Sequence, residues 1–262
     1  MRFPQNKSRS INFRPRAAAA AWTGRKHLKD NQTCQDAVST YYSTRLAVVA
    51  LSDGAGSAKF SALGAQLAAQ TICKTLRASF RRLGSSNADT VSLVLFKAVY
   101  NAIEHAALKK GVEVRDLACT LLFSATDGRR VLLGQLGDGI VATSNTGDKS
   151  WQRVFDLPKR EYLNLTPLIT GPSSHNHLQT CWTDTTKVSS VALMSDGAAE
   201  SLHQRNSDTF APALERMSEW LNKYPTKRVN AALIQALVEQ LSQKTFDDVS
   251  IAFLRTGKLR RK

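Results

Sequence analysis

Three times along this chain a strand-length apolar run stops abruptly at Asp-Gly. The runs are Val48-Val-Ala-Leu-Ser-Asp53-Gly54, Leu132-Leu-Gly-Gln-Leu-Gly-Asp138-Gly139 and Val191-Ala-Leu-Met-Ser-Asp196-Gly197. A continuous apolar run of this length bounded by turn signals reads as a strand. Asp and Gly are turn residues, so each run delivers a carboxylate to a strand end. A fourth acidic site, Asp247-Asp248, opens a last apolar run over 249–254. One such Asp-Gly is ordinarily only a turn. Several carboxylates at the ends of neighbouring strands would repel one another unless a cation lay between them, and hard oxygen donors of this kind suit Mg²⁺ or Mn²⁺.

Around these runs the pattern alternates strands with long helices. Residues 17–23 read as a first strand, 24–35 as a polar loop and 38–42 as a second strand. Apolar residues recur at helical spacing over 57–83 and 91–108, so two long helices follow the Asp53 turn. Residues 119–144 read as a meander with Thr126-Asp127-Gly128-Arg129 as a structural hairpin turn. With Pro158, Pro167, Gly171 and Pro172, residues 144–186 read as a loop-rich insertion, and helical stretches follow near 208–222 and 229–242. Sequential strands without strict strand-helix alternation favour an α+β layered fold over a doubly wound one. At 262 residues and 42% hydrophobic, the chain can bury one large core. The expected organisation is a basic tail at 1–16, one domain at 17–255 and a second basic tail at 256–262.

The formal charge of +15 invites a nucleic-acid reading, but nine of those charges sit at the ends. Arg2, Lys7, Arg9, Arg14 and Arg16 lie at one terminus and Lys258, Arg260, Arg261 and Lys262 at the other, leaving +6 on the body. No nucleic-acid motif accompanies them, so nucleic acid is not the expected partner. Cys34, Cys73, Cys119 and Cys181 lie far apart with no Cys-x-x-Cys pair, which argues against a disulfide framework or a structural zinc site. None is followed six residues later by arginine, so the Cys-x5-Arg loop of thiol-dependent phosphatases is missing. A reducing cytoplasm is the expected location. No run approaches the roughly 18 consecutive apolar residues of a membrane span. Neither His175-Asn-His177 nor Gly54-Ala-Gly56-Ser carries a matching ligand cluster or nucleotide fingerprint.

The motifs together resemble a known family. The segment from Leu51 through Gly64, containing Asp53-Gly54-Ala-Gly-Ser-Ala-Lys, resembles the Asp-Gly segment of PP2C-type serine/threonine protein phosphatases, especially a bacterial branch. Cys34-Gln35-Asp36-Ala37 is similar to that branch's first acidic motif, Ala118-Cys-Thr120-Leu to its small-x-Thr strand and Gly137-Asp138-Gly139 to its Gly-Asp-Ser. Ser195-Asp196-Gly197 and Asp247-Asp248-Val-Ser250 are similar to the last two motifs, so the resemblance spans about residues 20–255 in order.

The resemblance implies a four-layer α-β-β-α sandwich, two antiparallel sheets flanked by helix pairs. It implies that Asp53 bridges two divalent ions, Mn²⁺ or Mg²⁺, with the Gly54 carbonyl on one and Asp196 and Asp247 on the other. Asp36 would orient metal-bound waters, and Asp138 matches a residue associated with a third ion. The implied reaction is hydrolysis of phosphoserine or phosphothreonine on proteins, with a phosphorylated kinase or its target as candidate partner and a monomer as the favoured state. Three departures stand out. Gln35 replaces a common Glu, Asp247-Asp248 replaces Asp-Asn, and the arginine that grips substrate phosphate is missing at its spacing, leaving Arg25 as the candidate. These departures motivate an alternative reading, a catalytically weakened phosphoprotein-binding module.

Overall fold

Every residue of β3 (Ala47–Ser52) is buried, and alternation divides its side chains between two cores. Val48 and Ala50 join one apolar cluster, while Ala47, Val49 and Leu51 join another. A strand buried on both faces must lie between layers, and the whole architecture follows from that. The structure is a computed structural model and describes residues 15–156 and 166–257.

Two antiparallel sheets stack face to face. One has the order β1-β12-β9-β6-β7 and the other β2-β3-β4-β5-β8. The first contains β1 (Arg16–Trp22), β6 (Ile140–Asn145), β7 (Trp151–Arg153), β9 (Val188–Met194) and β12 (Val249–Arg255). The second contains β2 (Ala37–Tyr42), β3, β4 (Leu121–Thr126), β5 (Arg130–Leu136) and β8 (Gln179–Asp184). Between them lie Ala17, Ala19, Val49, Leu51, Leu122, Leu133, Val141, Leu193 and Leu254. The outer face of the second sheet is covered by α2 (Ser61–Leu83) and α3 (Ala88–Lys110), through Ile72, Leu76, Leu95, Val99 and Ile103. The outer face of the first is covered by α4 (Asp196–Leu202), α5 (Pro212–Lys223) and α6 (Thr226–Ala236), through Leu202, Leu214, Met217, Leu221 and Leu233. This is the α-β-β-α sandwich that the family resemblance implied.

Edge strand β1 is nearly all alanine, a weak strand former. It is held by pairing with β12 from Arg16↔Arg255 to Trp22↔Val249, and by Asn230 of α6, whose Oδ1 accepts the Ala19 N–H at 3.2 Å. That cover blunts an otherwise open edge. Arg16, counted above with the basic tail, is part of this strand, and its Nη1 donates to the carbonyls of Leu221 and Tyr224 at 2.6 and 3.1 Å. At the other end, Thr256 is buried with its hydroxyl on the carbonyls of Val188 and Ser189. Residues 1–14 and 258–262, which carry the other tail charges, lie outside the described residues.

Three expectations change. The polar loop at 24–35 contains α1 (Arg25–Lys29), a single turn whose start is secured by bonds to Phe246 and Asp248 rather than by periodicity. The loop-rich stretch at 144–186 contains β7 and β8. The latter has an exposed edge and reads Gln-Thr-Cys-Trp-Thr-Asp, so it shows no apolar run. The helical stretch near 208 starts instead at Pro212, after a two-strand hairpin of β10 (His203–Gln204) and β11 (Thr209–Phe210). The Asp127-Gly128 turn stands as expected: Asp127 Oδ1 accepts the N–H groups of Arg129 and Arg130, and Gly128 has φ 82°. By length and composition α3 could cross a membrane, but its apolar face, with Val91, Leu95, Val99 and Ile103, packs into the core.

Candidate active site

At one end of the sandwich, strand ends from both sheets meet over a cleft of about 700 Å³. Asp53 follows β3, and its backbone is tied to the start of β4: its N–H donates to Thr120 Oγ1 at 3.0 Å and its carbonyl accepts the Thr120 N–H at 2.8 Å. Ser52 Oγ donates to the Thr120 carbonyl at 2.6 Å. Thr120, the third residue of the Ala-Cys-Thr motif, therefore sets the exit angle of Asp53. Gly54 is wedged in the next position. A Cβ there would stand 2.8 Å from Ser61 and 2.9 Å from the Gln35 carbonyl, so only glycine fits.

Asp196 begins α4 directly after β9, and its Oδ1 accepts the Gly197 N–H at 2.6 Å. Ser195 and Ser250 cross-link β9 and β12 at this level: the Ser195 N–H donates to the Ser250 carbonyl, and the Ser250 N–H to Ser195 Oγ. That linkage sets the end of β9 beside the start of β12, where Asp247 lies. Asp138, in the β5–β6 turn, accepts a hydrogen bond from Thr166 at 2.8 Å. Thr166 lines the cleft as well, and this contact gives it a place at the site.

Asp53, Gly54, Asp138, Asp196 and Asp247 all line the cleft. Asp36 does not; it is buried behind the cleft wall, 7% exposed, and neither carboxylate oxygen has a well-formed hydrogen bond. Burial pushes the Asp36 carboxyl up to about 7, tempered by the nearby Ser250 hydroxyl and reinforced by the charges of Asp248 and Asp196. Asp53 is driven well above the usual carboxylate range by burial and then by the charges of Asp36, Asp196 and Asp247. Burial, with Asp138 and Asp247, lifts Asp196 to about 6. Side chains from five separate segments thus share one field. Among the described residues none of Asp36, Asp53, Asp138, Asp196 or Asp247 forms an ion pair with lysine or arginine.

Such a cluster fits divalent cations by its chemistry. The donors are all oxygens, burial desolvates Asp36, Asp53 and Asp196, and none of the five acids is paired with lysine or arginine, so a cation would relieve both burial and repulsion. Among the described residues no three carboxylate, imidazole or thiol groups close around a single point. An ion here would keep much of its water shell, as Mg²⁺ does in sites offering only one or two carboxylates.

Asp248 settles which member of the acidic pair is available. Its Oδ1 accepts the Gly24 N–H and its Oδ2 the Gln35 N–H, both at 2.6 Å, and His27 Nδ1 lies 3.0 Å from Oδ1 in an ion-pair contact rather than an aligned hydrogen bond. Asp248 also borders the cleft but is occupied as a staple, whereas Asp247 is the exposed member of the pair, its Oδ1 accepting, among the described residues, only the adjacent Asp248 N–H at 2.8 Å. Sequence reasoning missed His27 in this role, because a lone histidine in a polar loop carries no signal.

Arg25, the candidate for substrate phosphate, does not line the cleft. Its Nε donates to the Thr245 carbonyl at 3.0 Å and its guanidinium covers the Phe246 ring at 4.4 Å. The lysines that line the cleft are Lys26 and Lys244, and His27 lines it as well. His175 and His177 stand apart from the site, and the His175 ring meets Phe96 edge-on.

Comparison with known proteins agrees with this construction. A family model described as protein phosphatase 2C matches residues 23–242. Serine/threonine-protein phosphatase 3 of Escherichia coli (strain K12) is 30% identical over 192 residues, covering 70% of this chain and 73% of that relative. Among solved structures, a bacterial serine phosphatase superposes with a TM-score of 0.62 at 13% identity, covering 94% of this chain and 99% of that one. The catalytic domain of the serine threonine protein phosphatase PstP, in complex with 2 manganese ions, superposes with a TM-score of 0.56 at 16% identity, covering 92% and 97%. The family model and the relative together make this chain a protein phosphatase enzyme. The chain belongs to the protein phosphatase 2C family. The matched span stops at residue 242, before Asp247, so the place of that carboxylate at the site comes from the structure.

Proposed function

We propose that this protein hydrolyses phosphoserine and phosphothreonine on proteins with two divalent ions, Mn²⁺ or Mg²⁺, at the acidic cleft. The observation that carries the reading is the convergence of Asp53, Asp196 and Asp247 on one cleft, with Asp36 buried against them and no basic partner for any of the four. Asp53, the Gly54 carbonyl, Asp196 and Asp247 would hold the ions, with Asp138 a candidate for a third. When bound, such a pair lowers the pKa of a water and offsets the charge of the phosphoryl oxygens. From behind the wall, Asp36 supplies negative charge that orients donors toward the cluster. Thr120 and the Ser195–Ser250 cross-link hold the acids in place, so no reorganisation is needed when substrate arrives. Lys26 and Lys244 stand where a phosphoryl dianion would enter and supply the anchoring that Arg25 does not.

The substrate is a phosphorylated protein, for which a kinase or a kinase target is the candidate. A reducing cytoplasm is the proposed location, supported by free thiols at Cys34, Cys73, Cys119 and Cys181. The test is phosphate release from a phosphothreonine peptide by purified protein, before and after chelation and with Mn²⁺ restored. Release that vanishes on chelation and returns with Mn²⁺ supports the reading. Release that survives chelation contradicts it.

A further inference from the structure

Phe246 is 69% exposed and lines the mouth of the cleft, next to Asp247 in sequence. An isolated exposed phenylalanine needs no explanation on most surfaces. This one is held in place. The Arg25 guanidinium lies over its ring at 4.4 Å, Arg25 Nε bonds the Thr245 carbonyl, and the Lys26 N–H donates to the Phe246 carbonyl at 3.1 Å. Asp248 fastens the same turn to Gly24, so α1 and residues 245–248 form one braced lip. Leu28, 51% exposed, lies one helical turn beyond Arg25 on the same side of α1. The lip thus carries two exposed apolar side chains around a clamped guanidinium, while Lys26 and Lys244 face the cleft.

A preformed aromatic surface loses little side-chain entropy on binding, and rigid aromatic anchors dominate recognition energies. We propose that Phe246, propped by Arg25, is a specificity platform that seats an apolar side chain of the substrate a few residues from the phosphorylated one. This rests on the phosphatase reading above and extends it to substrate choice. The occupant follows from position: a polypeptide whose phosphoryl group reaches Asp53 and Asp247 past Lys26 and Lys244 must cross the lip where Phe246 stands. The platform therefore selects phosphorylated segments with a nearby leucine, isoleucine, valine or methionine.

The experiment is kcat/KM for a phosphothreonine peptide in an alanine background, with one leucine moved from three residues before to three residues after the phosphothreonine. Leucine at one or two positions should raise kcat/KM about tenfold, the equivalent of about 1.4 kcal/mol. Phe246→Ala should abolish that advantage and Phe246→Trp preserve it, with both variants melting like the parent because the ring is exposed. A leucine advantage that survives Phe246→Ala, or a parent enzyme indifferent to leucine at every position, would overturn the proposal. If the parent releases no phosphate from any peptide, the phosphatase reading fails. The platform is then judged by fluorescence anisotropy on the same peptides, where a leucine preference sensitive to Phe246→Ala sustains it and its absence overturns it.

Discussion

Asp248 Oδ2 accepts the backbone N–H of Gln35 at 2.6 Å, joining two residues 213 apart in sequence. Because Gln35 precedes Asp36 and Asp248 follows Asp247, this single bond fixes the spacing between two segments of the acidic cluster. With the Gly24 N–H on Oδ1, one buried carboxylate organises three chain segments that periodicity alone would leave as loops.

Asp248→Ala is expected to destabilise the protein by about 3 kcal/mol or more, since it removes two charge-assisted hydrogen bonds worth roughly 1.5–3 kcal/mol each. Activity should fall with stability, as Asp36 and Asp247 lose their brace. Asp247→Ala should leave the denaturant midpoint near the parent value while abolishing activity. Urea unfolding of both variants, read alongside phosphate release, checks the contrast.

Metal-free protein carries desolvated carboxylates without counterions, so a cation that binds only the folded state must stabilise it. Mn²⁺ at 100 times its dissociation constant should add about 2.7 kcal/mol, seen as a rise in Tm of several degrees. Asp53→Asn should raise the Tm of metal-free protein by relieving repulsion and should shrink the Mn²⁺ response. Thermal melts with chelator and with Mn²⁺ measure both effects.

The same burial sets a pH dependence with a definite sign. In the folded state Asp36 is raised to about 7 and Asp196 to about 6, whereas in the unfolded chain they titrate near the ordinary aspartate value of about 3.9. Between these values the folded state binds more protons, so metal-free protein loses stability as pH rises from about 4 to 7. Each group contributes at most about 1.4 kcal/mol per pH unit. Urea midpoints in chelator at pH 5.0, 6.0 and 7.5 should fall in that order, and saturating Mn²⁺ should flatten the trend.

Lys26 and Lys244 are expected to anchor the phosphoryl group. The double variant Lys26→Ala/Lys244→Ala should raise KM for a phosphopeptide about tenfold with a smaller change in kcat, because it removes attraction without touching the acids. Arg25→Ala should act differently, lowering selectivity through Phe246 more than it raises KM. Steady-state kinetics on the three proteins separates these roles.

What was legible in the sequence follows from how each feature is encoded. Asp53, Asp138 and Asp196 end long apolar runs, so strand burial and turn chemistry exposed them together. The two-sheet sandwich came from the resemblance and the strand order from the structure, since pairing such as β1 with β12 links residues over 200 positions apart and leaves no local pattern. The lip was hidden for a related reason. α1 is five residues held by tertiary bonds to Thr245, Phe246 and Asp248, and a short polar stretch has no hydrophobic period to betray it. The sequence reading took Arg25 as the candidate for substrate phosphate, whereas its neighbour Lys26 is the one that lines the cleft, because which of two adjacent residues faces it depends on a helix the sequence did not announce.

The most direct test of the account is to titrate metal-free parent and Asp53→Asn with Mn²⁺ by calorimetry and to follow phosphate release in the same samples. Two Mn²⁺ should bind per parent chain and release should track their binding, while Asp53→Asn should lose both tight binding and release with its fold intact. Full release by Asp53→Asn, or by parent protein holding no metal, would contradict it.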